Sequence, residues 1–417
     1  MTPVSSPLPA AAAPAMRRGA GELGLLLALA TCAALVFLNR TGISFLFPAI
    51  QGQLHLTNTQ LGQLMSATSL AWAVSSIFFS LASDVLGVRP RLLIVICTIG
   101  FSIVGGLSGL VSTFAALLLL RVAMGVFEGP VLPLIQSTVS AASPADRRGA
   151  NLGVIIGGSA LVGAVLAPPI MTGLSATLGW RSAFLAIALP GPLVALAVWI
   201  ATRPRALGGT AKAERLDLRG AVRIIARRNI LLALVGAITL IGSTVASAAF
   251  LPLYLSSLPA FTPTSKILFF VTLGIIHSIG GIMLPALSDR VGRRACLIAA
   301  CLCSAATPAA MALMSLSTWW VAAVVILGFV ASGAFTLMVY VVPGETVPPQ
   351  MASTTFAILL FVGEIIGGGG APTLAGWVAD HHGLAAAQLV CAALAGVAFI
   401  AALFVEEPPR SSTTPAG

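Results

Sequence analysis

Apolar runs of about twenty residues follow one another along most of this 417-residue chain. A run of that length, wound as a helix, spans the roughly 30 Å hydrocarbon core of a bilayer. A bilayer offers no water to unpaired backbone groups, so such runs cross it as helices. Twelve runs can be counted, at about 23–47, 59–81, 91–111, 114–140, 149–173, 180–201, 230–256, 264–286, 295–315, 318–341, 353–377 and 384–405. The expected fold is an all-α membrane protein of twelve transmembrane helices. Only 8% of the residues are charged and 58% are hydrophobic, against about 25% charged in soluble domains. In a soluble protein a net charge of +10 would suggest nucleic acid; here no such partner is expected, and the lipid bilayer is the surrounding medium.

The positive charges are distributed by loop. Of the 22 Lys and Arg, all but Arg40, Arg121, Arg181 and Lys266 fall on one side of the twelve runs. Basic loops stay in the cytoplasm, so both termini and the central loop are expected there, in a bacterial-type inner membrane. Residues 1–22 read as a disordered tail; Arg17-Arg18 before Leu23 resembles a signal peptide, but the run continues to Phe47. The longest polar stretch, 202–229, is rich in arginine. It divides a first half, 23–201, from a second, 230–405, with a short tail over 406–417. Trp180, Trp319, Trp320 and Trp377 sit at outer run ends, where the membrane interface suits amphipathic rings. The six cysteines lie in or beside apolar runs and read as buried thiols.

The halves repeat each other. Asp84-Val-Leu-Gly-Val-Arg89 and Asp289-Arg-Val-Gly-Arg-Arg294 are 205 positions apart, and Pro169-x-x-x-Gly173 and Pro372-x-x-x-Gly376 are 203 apart. Paired repeats are the architecture of carriers that rock about a midplane site between the halves. No combination of nucleophile, base and orienting group points to an enzyme.

Four charges interrupt the apolar runs: Arg40, Arg121, Glu128 and Glu364. Each is costly in a bilayer, so each faces protein or a watery cavity. Arg40 is seven residues from the outer end of the first run, and Arg121 seven residues into the fourth. Both guanidinium groups are therefore expected about 10 Å below the outer surface, at a depth where they could clamp a carboxylate bidentately. Glu128 is two turns further along the face that carries Arg121. Its protonation could free Arg121 for a substrate anion; the plainer alternative is a permanent buried ion pair. Glu364, in Gly363-Glu-Ile-Ile-Gly-Gly-Gly-Gly370, could carry a second proton, meet a substrate hydroxyl, or fix a helix contact. His277 reads as cavity wall or packing, and Gln136 and Asn151 as possible pocket or gate residues.

Asp289-Arg-Val-Gly-Arg-Arg294 closely resembles the loop signature of the major facilitator superfamily, and Ser80 through Arg89 is a looser copy. Asn39-Arg40-Thr-Gly-Ile-Ser44, Arg121 through Pro133, and Gly179-Trp-Arg-Ser-Ala-Phe184 resemble the anion:cation symporters within it. The resemblance implies the major facilitator fold and proton-coupled uptake of a small organic anion such as a sugar acid, with the proton as coupling ion and no other cofactor. Substrate contacts are then expected at Arg40, Arg121, Asn39, Trp72, Gln136 and Glu364, with proton coupling at Glu128 and Glu364. A cytoplasmic gate of Asp84, Arg89, Arg91, Asp289, Arg290, Arg293 and Arg294 would form ion pairs between helices, joined by Asp146, Arg147, Arg148 and Glu345. Two residues depart from the family. Asn39 stands where an aspartate implicated in proton coupling is common, and Trp72 where a tyrosine is. A drug/proton antiporter of the same fold and a transporter-like sensor are the rivals, and a monomer is expected.

Overall fold

The computed structural model describes residues 20–86, 88–144, 147–202, 226–313 and 318–407, without the side chains of residues 20, 80–86, 160, 318–319 and 349–350. Most of the expected tails and central loop, Asp146, and the side chains of Asp84 and Trp319 lie outside the described residues. Among the described residues all regular structure is helical. Ten segments are long and apolar enough to cross a membrane. One of them, Arg148–Ala201, holds two spans divided at Gly179, whose φ of +78° suits only glycine without strain. With Asn58–Leu86 added, the spans number twelve.

We name them α1 (Ala20–Leu54), α2 (Asn58–Leu86), α3 (Pro90–Leu107), α4 (Phe114–Ala142), α5 (148–178), α6 (180–201), α7 (Arg228–Ser257), α8 (Pro263–Val291), α9 (Arg293–Leu313), α10 (318–346), α11 (349–382) and α12 (Leu384–Leu403). The face carrying Arg89, Arg147 and Arg293 is the basic face; the other is the opposite face. The repeat is deeper than the sequence motifs. Gly383, between α11 and α12, has φ +85° and lies 204 positions after Gly179.

Three spans contain π-helical segments: Val162–Leu166 in α5, Leu337–Val341 in α10 and Gly363–Gly368 in α11. Each is followed by a proline, Pro168, Pro343 or Pro372. The i−4 carbonyls these prolines would clash with belong to Ala164, Val339 and Gly368, all inside the π segments. Proline lacks the donor and its ring collides with that carbonyl; a widened turn relieves both, and such turns recur at functional sites. The fourth run, expected to be continuous, is broken after Glu128: Phe114–Glu128 and Val131–Ala142 are separate segments. Pro130 and Pro133 leave the carbonyls of Val126 and Gly129 without their helical donors, and the helix kinks there.

The apolar core shows which side is closed. One cluster joins Leu25 through Val198 of the first half to Ala246–Leu253 of α7, Ala371–Ala379 of α11 and Ala387 and Cys391 of α12. All of these second-half residues lie toward the opposite face. Toward the basic face, the second half packs on itself, around Leu297, Met338 and Leu359. Gly149, Gly153 and Gly157 of α5 there have open space beside them. The halves are therefore sealed at the opposite face and parted at the basic face.

The seal is built from close backbone approach and a cap. A Cβ on Gly62 would meet the Pro372 carbonyl, and one on Gly376 the Asn58 carbonyl, so α2 and α11 touch backbone to backbone. Gly274 of α8 lies in the same way against Ala164 of α5. Small residues permit such contacts within a membrane. Asp380 of α11 accepts from the N–H groups of Asn58 and Thr59 at 2.8 and 2.9 Å, and from the Thr59 hydroxyl at 2.6 Å. A carboxylate of one half thus caps the first turn of a helix in the other.

Of the tryptophans expected at the interface, Trp377 is exposed. Trp180 and Trp320 are buried instead, donating to Gln53 Oε1 at 2.8 Å and to the Ala310 carbonyl at 2.9 Å. A buried indole N–H needs an acceptor, and the last turns of α1 and α9 at the opposite face supply one to each.

Candidate functional site

The site lies midway through the molecule, where the two halves still touch. Helix α1 runs on to Leu54, so Arg40 is fourteen residues from its outer end, about 21 Å rather than the 10 Å read from the apolar run. Arg121 keeps its expected depth of about 10 Å, seven residues into α4. Glu128, fourteen residues into α4, therefore matches Arg40 in depth, and Arg121 does not. The equal-depth arginine clamp is not what the helices form.

Arg40 reaches across to the other half. Its Nη2 donates to both carboxylate oxygens of Glu364, at 3.0 and 2.9 Å, and to Ser69 Oγ at 3.3 Å. The guanidinium lies 4.9 Å from the centre of the Trp72 ring. The two charged side chains are only 16% and 13% exposed, so the pair is largely shielded but open to a ligand. The sequence places Arg40 and Glu364 324 positions apart, and nothing in their spacing announces the pair. Glu364 is the second residue of the α11 π segment, where Gly363, Gly367 and Gly368 let α7 and α2 approach. A Cβ on Gly367 would strike the Ile238 carbonyl, and one on Gly368 would strike Glu364 itself.

Arg121 and Glu128 do not pair. Arg121 is buried, donates to Ser108 Oγ at 2.6 Å, and lies over the Phe184 ring at 5.6 Å. It points toward the opposite face, into the packing of α3, α4 and α6. Glu128 is fully buried and neither of its carboxyl oxygens has a hydrogen-bond partner among the described residues. Arg40 and Arg121 are its cationic neighbours. It lies at the kink of α4, between Gly125 and Gly129. These two glycines bring α4 against the backbone of Thr68 and Trp72 in α2. The Trp72 indole N–H is also buried and unbonded.

The other expected site residues scatter. Asn39 is buried against α3: its Nδ2 donates to the Leu35 carbonyl at 2.9 Å, and its Oδ1 faces Gly105. One residue along a helix is a 100° rotation, so Arg40 faces the second half while Asn39 faces inward. Gln136 is half-buried on the second segment of α4, and His277 is exposed on α8. Asn151 is bound within the first half, donating to Ser143 Oγ at 2.8 Å and Glu22 Oε1 at 3.3 Å; Arg147 lies 3.5 Å from Glu22.

The contacts described for the expected gate residues Arg91, Arg293 and Arg294 lie within their own halves. Arg91 donates to the Trp199 carbonyl at 2.8 Å and stacks 3.4 Å from its ring. Arg293, at the start of α9, binds Glu345 through Nε and Nη2, with a closest approach of 2.7 Å, and also Asp289 and Ser288 Oγ (2.6 Å) at the end of α8. Arg294 donates to the Leu403 carbonyl at 2.8 Å. Arg89 and Arg290 are exposed. Asp380 went unnoticed in the sequence. The available signal was its rarity, an acidic side chain at the face opposite the arginines, facing a helix start at Asn58-Thr59.

Residues 29–372 match the Major Facilitator Superfamily, and the chain belongs to that family. The resemblance to its anion:cation symporters is in keeping with the curated relatives. A hexuronate transporter of Bacillus subtilis (strain 168) is 29% identical over 178 residues, covering 43% of this chain and 41% of that one. A probable L-galactonate transporter of Escherichia coli (strain K12) is 27% identical over 43% of this chain and 39% of its own length. The chain thus spans about two-fifths of the length of these relatives. A probable 4-methylmuconolactone transporter of Cupriavidus pinatubonensis is 26% identical over 83% of this chain and 81% of its own. Among solved structures, a bacterial homologue of the human lysosomal transporter Spinster superimposes with TM-score 0.76, at 21% identity, over 93% of this chain and 97% of that one. The nucleoside transporter NupG does so with TM-score 0.74 at 15% identity, over 92% and 100%.

Proposed function

We propose that this protein is a proton-coupled symporter that takes up a small organic anion, a sugar acid or related carboxylate, by alternating access. The observation that carries the reading is the mid-depth site itself. A guanidinium spans the interface between the halves, and a buried carboxyl group without hydrogen bonds lies at the same depth. Arg40 anchors the substrate carboxylate, with Trp72 beneath it fixing the plane of the fork. Glu128 is the proton carrier: it is a fully buried carboxyl group at the depth of Arg40, with no hydrogen-bond partner among the described residues. Gln136 borders the path. The names of the hexuronate, L-galactonate and probable sulfoacetate transporters support an acid as the cargo.

The basic face is the cytoplasmic one on the charge rule, with both termini on that side in a bacterial-type inner membrane, and the protein acts as a monomer. The membrane potential opposes entry of an anion by about 2.3 kcal/mol per charge per 100 mV. More than one proton per monoanion is therefore needed for electrogenic uptake, and Glu128 carries one of them. Purified protein in proteoliposomes, given D-gluconate and an imposed proton gradient, tests this. Wild type accumulates the acid. Glu128→Gln fails to accumulate it yet still exchanges labelled for unlabelled acid. Accumulation by the variant would remove Glu128 from the coupling role.

A further inference from the structure

In this structure the anchor for the substrate carboxylate is already occupied by a carboxylate of the protein. Arg40 gives its Nη2 to both oxygens of Glu364, and among the described residues Glu364 has no other hydrogen-bond partner. Of the Arg40 donors Nη2 alone holds Glu364 and Ser69, and a substrate carboxylate that takes the fork through the Nη2 hydrogen held by Glu364 pushes Glu364 aside. It then strands a largely buried anion beside the substrate's first carbons. A buried acceptor deprived of its donor is costly. The backbone around Glu364 cannot supply a replacement: the π segment occupies its own amides, and Gly367 is closed by the Ile238 carbonyl.

We infer that Glu364 is the specificity-determining residue of the site, a built-in counter-ion that selects 2-hydroxy acids over plain carboxylates. The hydroxyl on the carbon beside the substrate carboxylate donates to Glu364 as the substrate displaces it from Arg40. One ligand thus satisfies both members of the separated pair. A carboxylate with no hydroxyl satisfies only Arg40. Sites built to bond a hydroxyl can reject the analogue lacking it by ten-thousandfold or more; with a small opening to water, this one should discriminate by at least tenfold. Because the pair joins α1 of one half to α11 of the other, the same selection is felt at the interface that must move. The inference rests on the organic-anion reading and narrows its substrate class.

The test is equilibrium binding to the purified full chain, using three six-carbon monoanions: hexanoate, 2-hydroxyhexanoate and gluconate. In wild type, 2-hydroxyhexanoate should bind at least tenfold more tightly than hexanoate, with gluconate tighter still. In Glu364→Gln, which keeps the shape but releases Arg40, hexanoate should gain at least tenfold and the preference should shrink to a few-fold. Equal binding of hexanoate and 2-hydroxyhexanoate to wild type overturns the inference, and that arm needs no variant to fold. So does a preference left unchanged in Glu364→Gln. Failure of the underlying reading looks different: gluconate would then not bind wild type, or would bind Arg40→Ala as well as wild type.

Discussion

Arg121 donates to Ser108 at 2.6 Å, and no ion pair joins it to Glu128, although the two residues share one face of one helix. The arginine is turned toward the opposite face, where Phe184 and the end of α3 receive it. The carboxyl group remains alone at the kink two turns away. A charge that looks like half of a pair in the sequence is therefore tied to a serine thirteen positions earlier.

Ser108→Ala separates a packing role for Arg121 from a ligand role. Among the described residues Ser108 is the one hydrogen-bond partner of the buried Arg121 guanidinium, and its loss should lower stability by about 1–3 kcal/mol, with anion exchange retained. Thermal unfolding and counterflow on the same preparation check this. Unchanged stability with lost exchange would make Arg121 a ligand contact.

Asp380 holds the opposite face shut through three hydrogen bonds to Asn58 and Thr59. Asp380→Ala should cost the sealed state about 1–2 kcal/mol, the range of a helix cap, which is roughly tenfold in population. Ser66 lies in this seam, 2.8 Å from Thr373. A Ser66→Cys reporter should therefore react about tenfold faster with an impermeant maleimide when Asp380 is replaced.

Gly125 and Gly396 should respond in opposite ways to alanine. A Cβ at Gly125 would collide with the Thr68 carbonyl, which is rigid backbone, whereas Gly396 has open space. Gly125→Ala should destabilise by about 1–3 kcal/mol by overpacking. Gly396→Ala should be neutral or stabilise by up to about 1 kcal/mol, because glycine is the poorer helix former. Thermal melts of the two variants decide it.

Trp72 should matter through its ring. Trp72→Phe keeps a π face beneath Arg40 and should weaken anion binding by only a few-fold. Trp72→Ala removes the contact, which is worth about 0.5–2 kcal/mol, and should weaken binding up to about thirtyfold. Equilibrium titration with gluconate measures both.

Much of the architecture was legible in the chain. The apolar runs are set by bilayer thickness, a one-dimensional constraint, and the repeats around Asp84 and Asp289 and around Pro169 and Pro372 are local in sequence. Arg40, Glu128 and Glu364 stood out because each is a charge where charge is costly. Their partners did not. Run length placed Arg40 at the wrong depth because α1 continues through Pro48 to Leu54, beyond its most apolar part. Asn39, adjacent to Arg40, could not be assigned a direction until the helix had a neighbour.

The sequence by itself determined that this is a twelve-span protein in two repeated halves, with a basic face and a few buried charges between spans. Burial of apolar length and exclusion of charge act residue by residue, so composition along the chain is enough to read them. Only the tertiary structure decided that Arg40 meets Glu364, that Arg121 leaves Glu128 for Ser108, and that Asp380 closes the face away from the arginines. Those contacts join positions up to 324 residues apart, and they depend on helix rotation and on glycine-permitted approach, which no periodicity along the chain records.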